Sequence, residues 1–266
     1  MKIGISSGCW YPALTEDSAE KIKNAGYDAA EIFICDESEN ETDYLMALKN
    51  RFDRLGIKIV SVHPYTSFAE QFLLFSGYER RRENAYKYYR RYHNACKILG
   101  AEFINFHGAT LPVEPEKYAE IYSRLYREAK EEGLTFCQEN VRKFICGKAS
   151  YITELKRILR DDISFTLDVK QAHMEGESLS DMIKIMGKNI KLVHISDHTG
   201  DEPCLLPGFG EFDTEGFLNE LKGIGYNGHI ITEIYSKNCR KESDIRDSQL
   251  FLSNLIKKFN DGDLRQ

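Results

Sequence analysis

The sequence predicts an α/β protein that folds as one (β/α)₈ TIM barrel, a single domain spanning residues 1–266. Eight short runs rich in Val, Ile, Phe and Tyr recur along the chain, as expected of buried strands. A helical pattern follows each run, and most of these patterns end at a glycine just before the next strand. No linker, low-complexity segment or change of composition divides the chain, so the eight units form one domain.

The predicted strands are apolar along most of their length rather than alternating between polar and apolar residues. Continuous apolar runs are typical of strands covered on both faces, as in a parallel sheet with helices outside it. The eight runs are KIGIS (2–6), AAEIFI (29–34), IKIVSVH (57–63), EFINFH (102–107), LTFCQE (134–139), ISFTLD (163–168), IKLVHIS (190–196) and HIITEIY (229–235).

Glycines mark the predicted helix ends, because glycine adopts the left-handed conformation that ends a helix without a steric penalty. Thr15 or Asp17 is the expected N-cap of the first helix, and Asp213 is the expected N-cap of the seventh. An open doubly wound sheet is the alternative fold, but it needs a glycine-rich phosphate turn that ISSGCWYP does not provide. The helix-ending glycines are Gly26, Gly56, Gly100, Gly133, Gly187 and Gly225.

Two connections between predicted elements are long, residues 64–78 and 197–212. Both follow the C-terminal ends of strands, which is where the active sites of such barrels lie. Loops of this length often act as functional lids. We therefore expect both connections to border the functional site.

Composition and charge narrow the class of protein. A net charge of −6 and a pI of about 5.7 argue against a dedicated nucleic-acid binder. No apolar run approaches the ~20 residues of a membrane helix, and Ser6 and Ser7 come too early for a signal-peptide core. Seven cysteines without a C-x-x-C pair predict reduced thiols rather than disulfides or structural zinc. These features predict a cytoplasmic enzyme that binds no membrane.

Ionisable residues end several of the predicted strands. In a barrel these positions meet at the C-terminal face, where buried charges need a partner or a metal ion. Three carboxylates and one imidazole among them suit Mn²⁺, Mg²⁺ or Co²⁺ and also accept Zn²⁺, although a metal-free salt-bridge network is an alternative. The metal set is Glu139, Asp168, His194 and Glu233, and His63 and His107 end two further strands.

Five strings give the sequence a family resemblance: FCQEN (136–140), LDVKQA (167–172), VHISD (193–197), LPGFGEFD (206–213) and IITEIY (230–235). They resemble the sugar-phosphate isomerase/epimerase family, the xylose-isomerase-like TIM-barrel group. This group includes ketose 3-epimerases, hydroxypyruvate isomerases, inosose dehydratases and, more distantly, endonuclease IV. The resemblance covers nearly the whole chain and is specific for the superfamily rather than for one substrate.

The resemblance implies one divalent metal ion held by Glu139, Asp168, His194 and Glu233. It also implies that Glu139 and Glu233 are the catalytic acid/base pair of an isomerase or epimerase acting through an enediolate. The implied substrate is a small sugar, a sugar phosphate or a related polyol ketone. A metal stabilises the enediolate charge as a Lewis acid and favours the ionised form of both glutamates.

Two departures from the family pattern concern substrate contacts. Ketose epimerases carry D-x-x-H after the sixth strand, whereas this chain has Gln171 at the fourth position and His173 two residues later. They also carry an arginine after the histidine of the seventh strand, which HISDHTGDEP lacks. We expect Gln171 to hydrogen-bond a hydroxyl and Lys170 to meet an anionic group, with a surface location as the alternative for Lys170.

The remaining candidate substrate contacts are three aromatic side chains. His63 and His107 lie where the endonuclease IV branch places additional zinc ligands, and we interpret them as hydroxyl or phosphate contacts. Trp10 is expected either to stack against a sugar or to pack in the core. Gly208 and Gly210 leave room for a phosphate, although G-x-G alone is a weak signal.

Alternative functions remain open from the sequence. An inosose-type dehydratase would use the same enolate chemistry, and a non-catalytic binding barrel would not need two opposed glutamates. A three-zinc phosphodiesterase is less favoured, because it needs the D-x-x-H histidine and a D-x-H motif that this chain lacks. The helix following the third strand is tyrosine-rich, which indicates either packing or a homo-oligomer interface.

Overall fold

The computed structural model describes residues 1–239 and 241–260. In these residues the strands, numbered in chain order, are Lys2–Ser6 (β1), Ala29–Phe33 (β2), Lys58–His63 (β3), Phe103–Phe106 (β4), Thr135–Glu139 (β5), Ser164–Asp168 (β6), Ile190–Ile195 (β7), Asp197–His198 (β8), Pro203–Leu205 (β9) and His229–Thr232 (β10). Eight of them close into a parallel barrel in the order β1–β2–β3–β4–β5–β6–β7–β10. The predicted (β/α)₈ barrel is confirmed, and each predicted run contains one of its strands.

The α-helices of the described residues lie between the barrel strands, as the sequence predicts. Their bounds are Ser18–Asn24 (α1), Thr42–Arg54 (α2), Glu70–Leu74 (α3), Glu79–Leu99 (α4), Pro115–Glu131 (α5), Ala149–Leu159 (α6), Val169–Glu175 (α7), Leu179–Met186 (α8), Thr214–Gly223 (α9) and Glu242–Asn260 (α10). No helix among the described residues is long and apolar enough to cross a membrane.

The local signals for helix ends are confirmed except at one cap. Gly100 ends α4 in the left-handed region with φ 74°, and the other five predicted glycines also have positive φ. Asp213 caps α9 by accepting a hydrogen bond from the Gly216 amide at 2.9 Å. At α1, Asp17 occupies the predicted N-cap position but its side chain makes no capping hydrogen bond, and the Thr15 hydroxyl donates to Glu39.

The barrel interior has an apolar layer and a polar layer. Ala29, Val60, Leu192 and Ile231 form a small buried cluster of their own, separate from the larger core between barrel and helices. The polar layer lies nearer the C-terminal ends of the strands than this apolar cluster. It contains Glu31, Ser61, Asn105, Thr166 and His194, all fully or almost fully buried. The Glu31 carboxylate of this polar layer and His194 therefore lie toward the C-terminal ends of the strands, whereas His229 is buried at the start of β10.

Both long connections contain regular structure. The segment 64–78 forms a 3₁₀ turn, Tyr65–Ala69, followed by α3, and the segment 197–212 contains the antiparallel β8–β9 hairpin. The tyrosine-rich helix after the third strand is α4. Its Tyr86, Tyr89 and Tyr92 are buried within the chain, as the packing interpretation predicts.

Candidate metal and substrate site

Four ionisable side chains meet at the C-terminal end of the barrel, where the sequence predicts a metal site. Glu139 and Asp168 end β5 and β6, His194 lies in β7, and Glu233 directly follows β10. One ligand atom of each lies within 4.8 Å of those of the others. His194 Nδ1 is 2.8 Å from Glu233 Oε2, 3.7 Å from Asp168 Oδ2 and 3.8 Å from Glu139 Oε1. The fold thus brings together all four predicted ligands. We call these four side chains, Glu139, Asp168, His194 and Glu233, the metal cluster.

Each of these side chains has a buried polar atom that no described residue hydrogen-bonds. These atoms are Glu139 Oε2, Asp168 Oδ2, His194 Nδ1 and Glu233 Oε2. Leaving such atoms unpaired in the interior costs free energy, so their convergence favours a shared cation. Three carboxylates and one imidazole nitrogen are donors that Mn²⁺, Mg²⁺ and Co²⁺ accept. The residues present therefore fit a divalent metal ion.

Glu31, which the sequence analysis did not identify, lies on β2 beneath this metal cluster. Its Oε2 atom accepts hydrogen bonds from Ser61 Oγ at 2.8 Å and Asn105 Nδ2 at 2.7 Å. The same oxygen is 3.1 Å from His194 Nε2. A proton on Nε2 is held by Glu31, which leaves Nδ1 of His194 facing the other ligands. Glu31 therefore orients the imidazole and, when the ring is neutral, favours the tautomer with its proton on Nε2.

The pKa values show how strongly the cluster attracts positive charge. Burial lowers the pKa of His194, but the surrounding carboxylates outweigh it and hold the value well above the usual range. Burial raises the pKa of Glu139 and Glu233, yet His107 beside the first and Lys170 beside the second hold both below the usual carboxyl range. Both glutamates are therefore ionised at neutral pH.

Lys170, on the first turn of α7, is buried against the metal cluster rather than exposed. Its Nζ lies 3.0 Å from Glu233 Oε1 and 3.6 Å from Asp168 Oδ2. The ammonium also lies 5.3 Å from the centre of the Tyr235 ring. Lys170 thus occupies one oxygen of Glu233 and leaves the other, Oε2, facing His194 and the remaining ligands.

His63 and His107 face one carboxylate oxygen of Glu139, Oε2, whereas His194 faces the other, Oε1. Their Nε2 atoms are 3.6 Å and 3.4 Å from Glu139 Oε2, and 3.0 Å from each other. The three side chains also have the spacing of a metal-binding group. Phe33 stacks on His63 with ring centres 4.5 Å apart. Both predicted substrate contacts therefore lie directly beside a metal ligand.

The 64–78 connection holds the end of β4 in place through Glu70. This buried carboxylate accepts hydrogen bonds from the His107 amide at 3.0 Å, the Gly108 amide, and the Tyr89 hydroxyl at 2.5 Å. Burial raises the pKa of Glu70 to about 8. The neighbouring Gln71 side chain accepts from two further backbone amides of the same loop. Helix α3 thereby fixes the backbone that presents His107.

Three predicted substrate contacts lie away from the metal cluster. The Gln171 side chain accepts a hydrogen bond from the Arg142 amide at 3.0 Å. His173 stacks on His198 with ring centres 3.5 Å apart. Trp10 ends a 3₁₀ turn that directs it onto the core, where it lines a separate hollow between α1 and α10. Its neighbour Tyr11 reaches the substrate cleft instead.

The G-x-G loop after the seventh barrel strand already binds an anion, the carboxylate of Asp197. Asp197 Oδ2 accepts from the amides of Gly208 and Gly210, both at 3.0 Å. Its Oδ1 accepts from the amides of His198 and Phe212, both at 2.8 Å. Side-chain atoms at Gly210 would collide with this carboxylate. The loop thus uses its amides internally and does not offer them to a phosphate.

An open cleft of about 790 Å³ leads from the surface to Glu233. Aromatic rings from three connections and from the end of β2 make up part of its wall. They are Tyr11, Phe33, Tyr65, Phe68 and Tyr235. Ser6 and Ser236 also line it, and the Ser236 hydroxyl donates to the Tyr11 carbonyl. Glu233 is therefore accessible to a small molecule from this side.

Glu31 and Glu70 carried weak sequence signals. Glu31 is the one charge inside the apolar run AAEIFI, and Glu70 lies in a long connection already expected to border the site. A carboxylate in the middle of an inward-facing strand must be paired when it is buried. This pattern identifies Glu31 as a candidate site residue, but nothing in the sequence specifies which side chain it pairs with.

Comparison with known proteins places this fold among related barrels. An uncharacterized protein of Methanocaldococcus jannaschii is 27% identical over 259 residues, covering 90% of this chain and 85% of that protein. An inosose isomerase of Bacillus velezensis is 23% identical over 241 residues and 81% of each chain. The D-psicose 3-epimerase of Clostridium cellulolyticum H10 superposes with a TM-score of 0.80 at 20% identity, over 96% of this chain and 99% of that one.

At these identities the structural likeness establishes the fold alone. A family model matches residues 19–255, which include all four predicted metal ligands. The chain therefore belongs to the xylose isomerase-like TIM barrel family.

Proposed function

We propose that this protein is a divalent-metal-dependent isomerase or epimerase of a carbohydrate ketone. The observation that supports the proposal most strongly is the pair of ionised glutamates, Glu139 and Glu233, within one cluster of unpaired ligand atoms. Two carboxylates at one site can remove and return a proton on different faces of a carbon atom. A binding barrel would not require this pair.

The proposed reaction begins with removal of the proton on the carbon next to the substrate carbonyl. One glutamate accepts that proton and the other returns a proton to the resulting enediolate. A bound divalent metal supplies Lewis-acid stabilisation of the negative charge that develops. Glu139, Asp168, His194 and Glu233 would hold it, with Glu31 orienting the histidine.

We assign substrate contacts to His63, His107 and Lys170, which adjoin the metal cluster. The imidazoles of His63 and His107 can each donate to or accept from a hydroxyl beside Glu139. Lys170 has ammonium protons beyond the one directed at Glu233 Oε1, and these suit a substrate oxygen. Gln171, His173 and Trp10 are left out because their contacts lie elsewhere.

The test is proton exchange at the carbon next to the carbonyl. The metal-loaded protein is incubated with a panel of ketoses and inososes in D₂O, and loss of the α-proton signal is followed by NMR. The proposal predicts exchange with at least one member, and Glu139→Gln and Glu233→Gln each lower its rate by about 10²-fold or more. Exchange at the wild-type rate in either variant would contradict it.

The inosose-type dehydratase remains the alternative within the same chemistry. The same NMR experiment separates the two, because a dehydratase releases water and yields an unsaturated or deoxy product. The zinc phosphodiesterase alternative finds less support. Asp197, after the seventh barrel strand, is engaged by four backbone amides, and Gln171 replaces the histidine that such a site needs.

We further propose a cytoplasmic location, because the seven cysteines are all free thiols and five are buried. Fractionation of cells that express the tagged protein tests this expectation. A homo-oligomer remains a prediction, which sedimentation velocity tests.

A further inference from the structure

The mouth of the barrel is unusually rich in exposed apolar side chains. The described residues include ten large hydrophobic side chains that are exposed, and all but Met46 and Leu250 lie on connections that follow barrel strands. These connections surround the C-terminal face, where the metal cluster opens. Exposed apolar groups concentrated on one face mark a binding surface.

Three of these side chains form the outer wall of the 790 Å³ cleft that ends at Glu233. We call Tyr11, Phe68 and Tyr235 the aromatic rim; they are 61%, 77% and 42% exposed. Phe33 and Tyr65 continue the aromatic wall inward, and Phe33 stacks on His63 beside the catalytic glutamate. Aromatic side chains therefore line the cleft from its exposed rim to Phe33, which contacts His63 beside the metal cluster.

The cleft is large for a single free sugar, and five of its thirteen described lining residues are aromatic. Its volume lies within the range of roughly 300–1,000 Å³ that encloses drug-sized ligands. A lone ketose with its reacting carbons at Glu233 would leave the aromatic rim in contact with solvent. A flat apolar face of a second ring would instead stack against it, as amphipathic ring faces do on aromatic side chains.

A phosphate is a poor match for the rest of the site. The amides of the G-x-G loop are occupied by Asp197. Within the described lining of the cleft, Lys237 is the single basic side chain, and its ammonium lies 5.8 Å from the Tyr235 ring centre. The Gly8 amide and the Ser236 hydroxyl, which also lie there, already hydrogen-bond within the chain.

From these observations we propose that the substrate is an unphosphorylated ketose carrying a second ring, as in a disaccharide or glycoside. The ketose end lies at the metal cluster, and the second ring stacks on the aromatic rim. This inference rests on the proposed function, because it takes Glu139 and Glu233 as the reacting end of the site. It adds the substrate class that the site selects.

The test is calorimetric binding to the Mn²⁺-loaded full-length protein. The probes are D-fructose, D-fructose 6-phosphate, and three disaccharides of fructose with the second ring on O4, O5 or O6: lactulose, leucrose and isomaltulose. We expect at least one disaccharide to bind about 10-fold more tightly than D-fructose. We expect the phosphate ester to bind no more tightly than D-fructose.

Variants connect this preference to the rim. Phe68→Ala and Tyr235→Ala should each reduce the ratio of disaccharide to fructose affinity by about 5- to 10-fold. Phe72→Ala is the matched control, because Phe72 is 58% exposed on the same connection but does not line the cleft. It should leave the ratio unchanged, and circular dichroism checks that each variant folds.

Four outcomes would overturn the inference. D-Fructose binding with α-proton exchange, but no disaccharide binding more tightly, refutes the second ring and leaves the proposed function intact. If D-fructose 6-phosphate binds most tightly of all the probes, that result also refutes the second ring and leaves the proposed function intact. A dimer in sedimentation velocity that Phe68→Ala dissociates, without a change in ligand preference, would assign the rim to a second copy. Failure of every probe to bind, together with no α-proton exchange in any ketose or inosose, would overturn both proposals.

Discussion

The Nε2 atom of His194 lies 3.1 Å from the Oε2 atom of Glu31, a carboxylate buried inside the barrel. Two neutral donors, Ser61 and Asn105, hold the same oxygen in place. The opposite ring nitrogen of His194 faces three carboxylates and has no hydrogen bond to any described residue. This relationship sets the direction in which the histidine offers its lone pair, and several predictions depend on it.

Glu31→Gln should weaken Mn²⁺ binding by about 10-fold or more, as loss of a carboxylate behind a ligating histidine does. The amide keeps an oxygen for the three donors but lacks the charge that makes the imidazole a strong ligand. Titration of the metal-free protein by calorimetry measures the change. Glu39→Gln is the control, since Glu39 is also a buried carboxylate but bonds Thr15 and Cys35 instead. Equal affinity in wild type and Glu31→Gln would refute the role of Glu31.

Lys170→Met should destabilise the metal-free protein and increase the stabilisation that metal provides. The ammonium pairs with Glu233 and Asp168, and removing one partner of a buried ion pair costs about 3–5 kcal/mol. Added Mn²⁺ supplies the missing positive charge, so the difference in Tm between EDTA and Mn²⁺ should be larger in the variant. Lys148→Met removes an exposed partner of Glu175 and should leave that difference unchanged.

Ionisation of Glu70 should lower stability as the pH rises. Its pKa is about 8 in the folded protein and near the ordinary carboxyl value in the unfolded chain. Between these two pKa values the folded state binds more protons than the unfolded chain. The free energy of unfolding is therefore greatest below the unfolded-state pKa and falls as the pH rises through the folded-state pKa. Urea unfolding from about pH 5 to 9 should show a steeper decline for wild type than for Glu70→Gln. Parallel curves would contradict the raised pKa.

Asp197→Asn should destabilise the loop after the seventh barrel strand. Four backbone amides donate to this carboxylate, and an amide group in its place would direct NH₂ protons at two of them. Hydrogen bonds to a charged group contribute about 1.5–3 kcal/mol each, so we expect a loss of about 3 kcal/mol in urea unfolding. Asp201→Asn, an exposed change in the same connection, is the control and should stay within about 0.5 kcal/mol of wild type.

The barrel was predictable because its signals are local and repeated. Apolar runs end at ionisable residues, and glycines such as Gly100 end the preceding helices in a conformation that other residues avoid. Parallel strands then place Glu139, Asp168, His194 and Glu233 at one face without further information. Strand order therefore accounts for the convergence of these four side chains.

Residues outside the strand ends were harder to predict, because their directions depend on turns and on tertiary contacts. Trp10 turns onto the core through a 3₁₀ turn, while Tyr11, one residue later, lines the cleft. Gln171 and His173 find partners on neighbouring loops. Glu31 depends on hydrogen bonds from β3, β4 and β7, and no spacing in the sequence specifies these.

Metal stoichiometry tests the central claim most directly. Wild type and Asp168→Asn, each stripped with chelator, are dialysed against Mn²⁺, and bound metal per chain is measured by elemental mass spectrometry. We predict about one ion per chain in wild type and a large loss in Asp168→Asn, whose amide is a weaker ligand than a carboxylate. Wild-type protein that binds no divalent ion, or a variant that binds as much as wild type, would contradict the assignment of this cluster as a metal site.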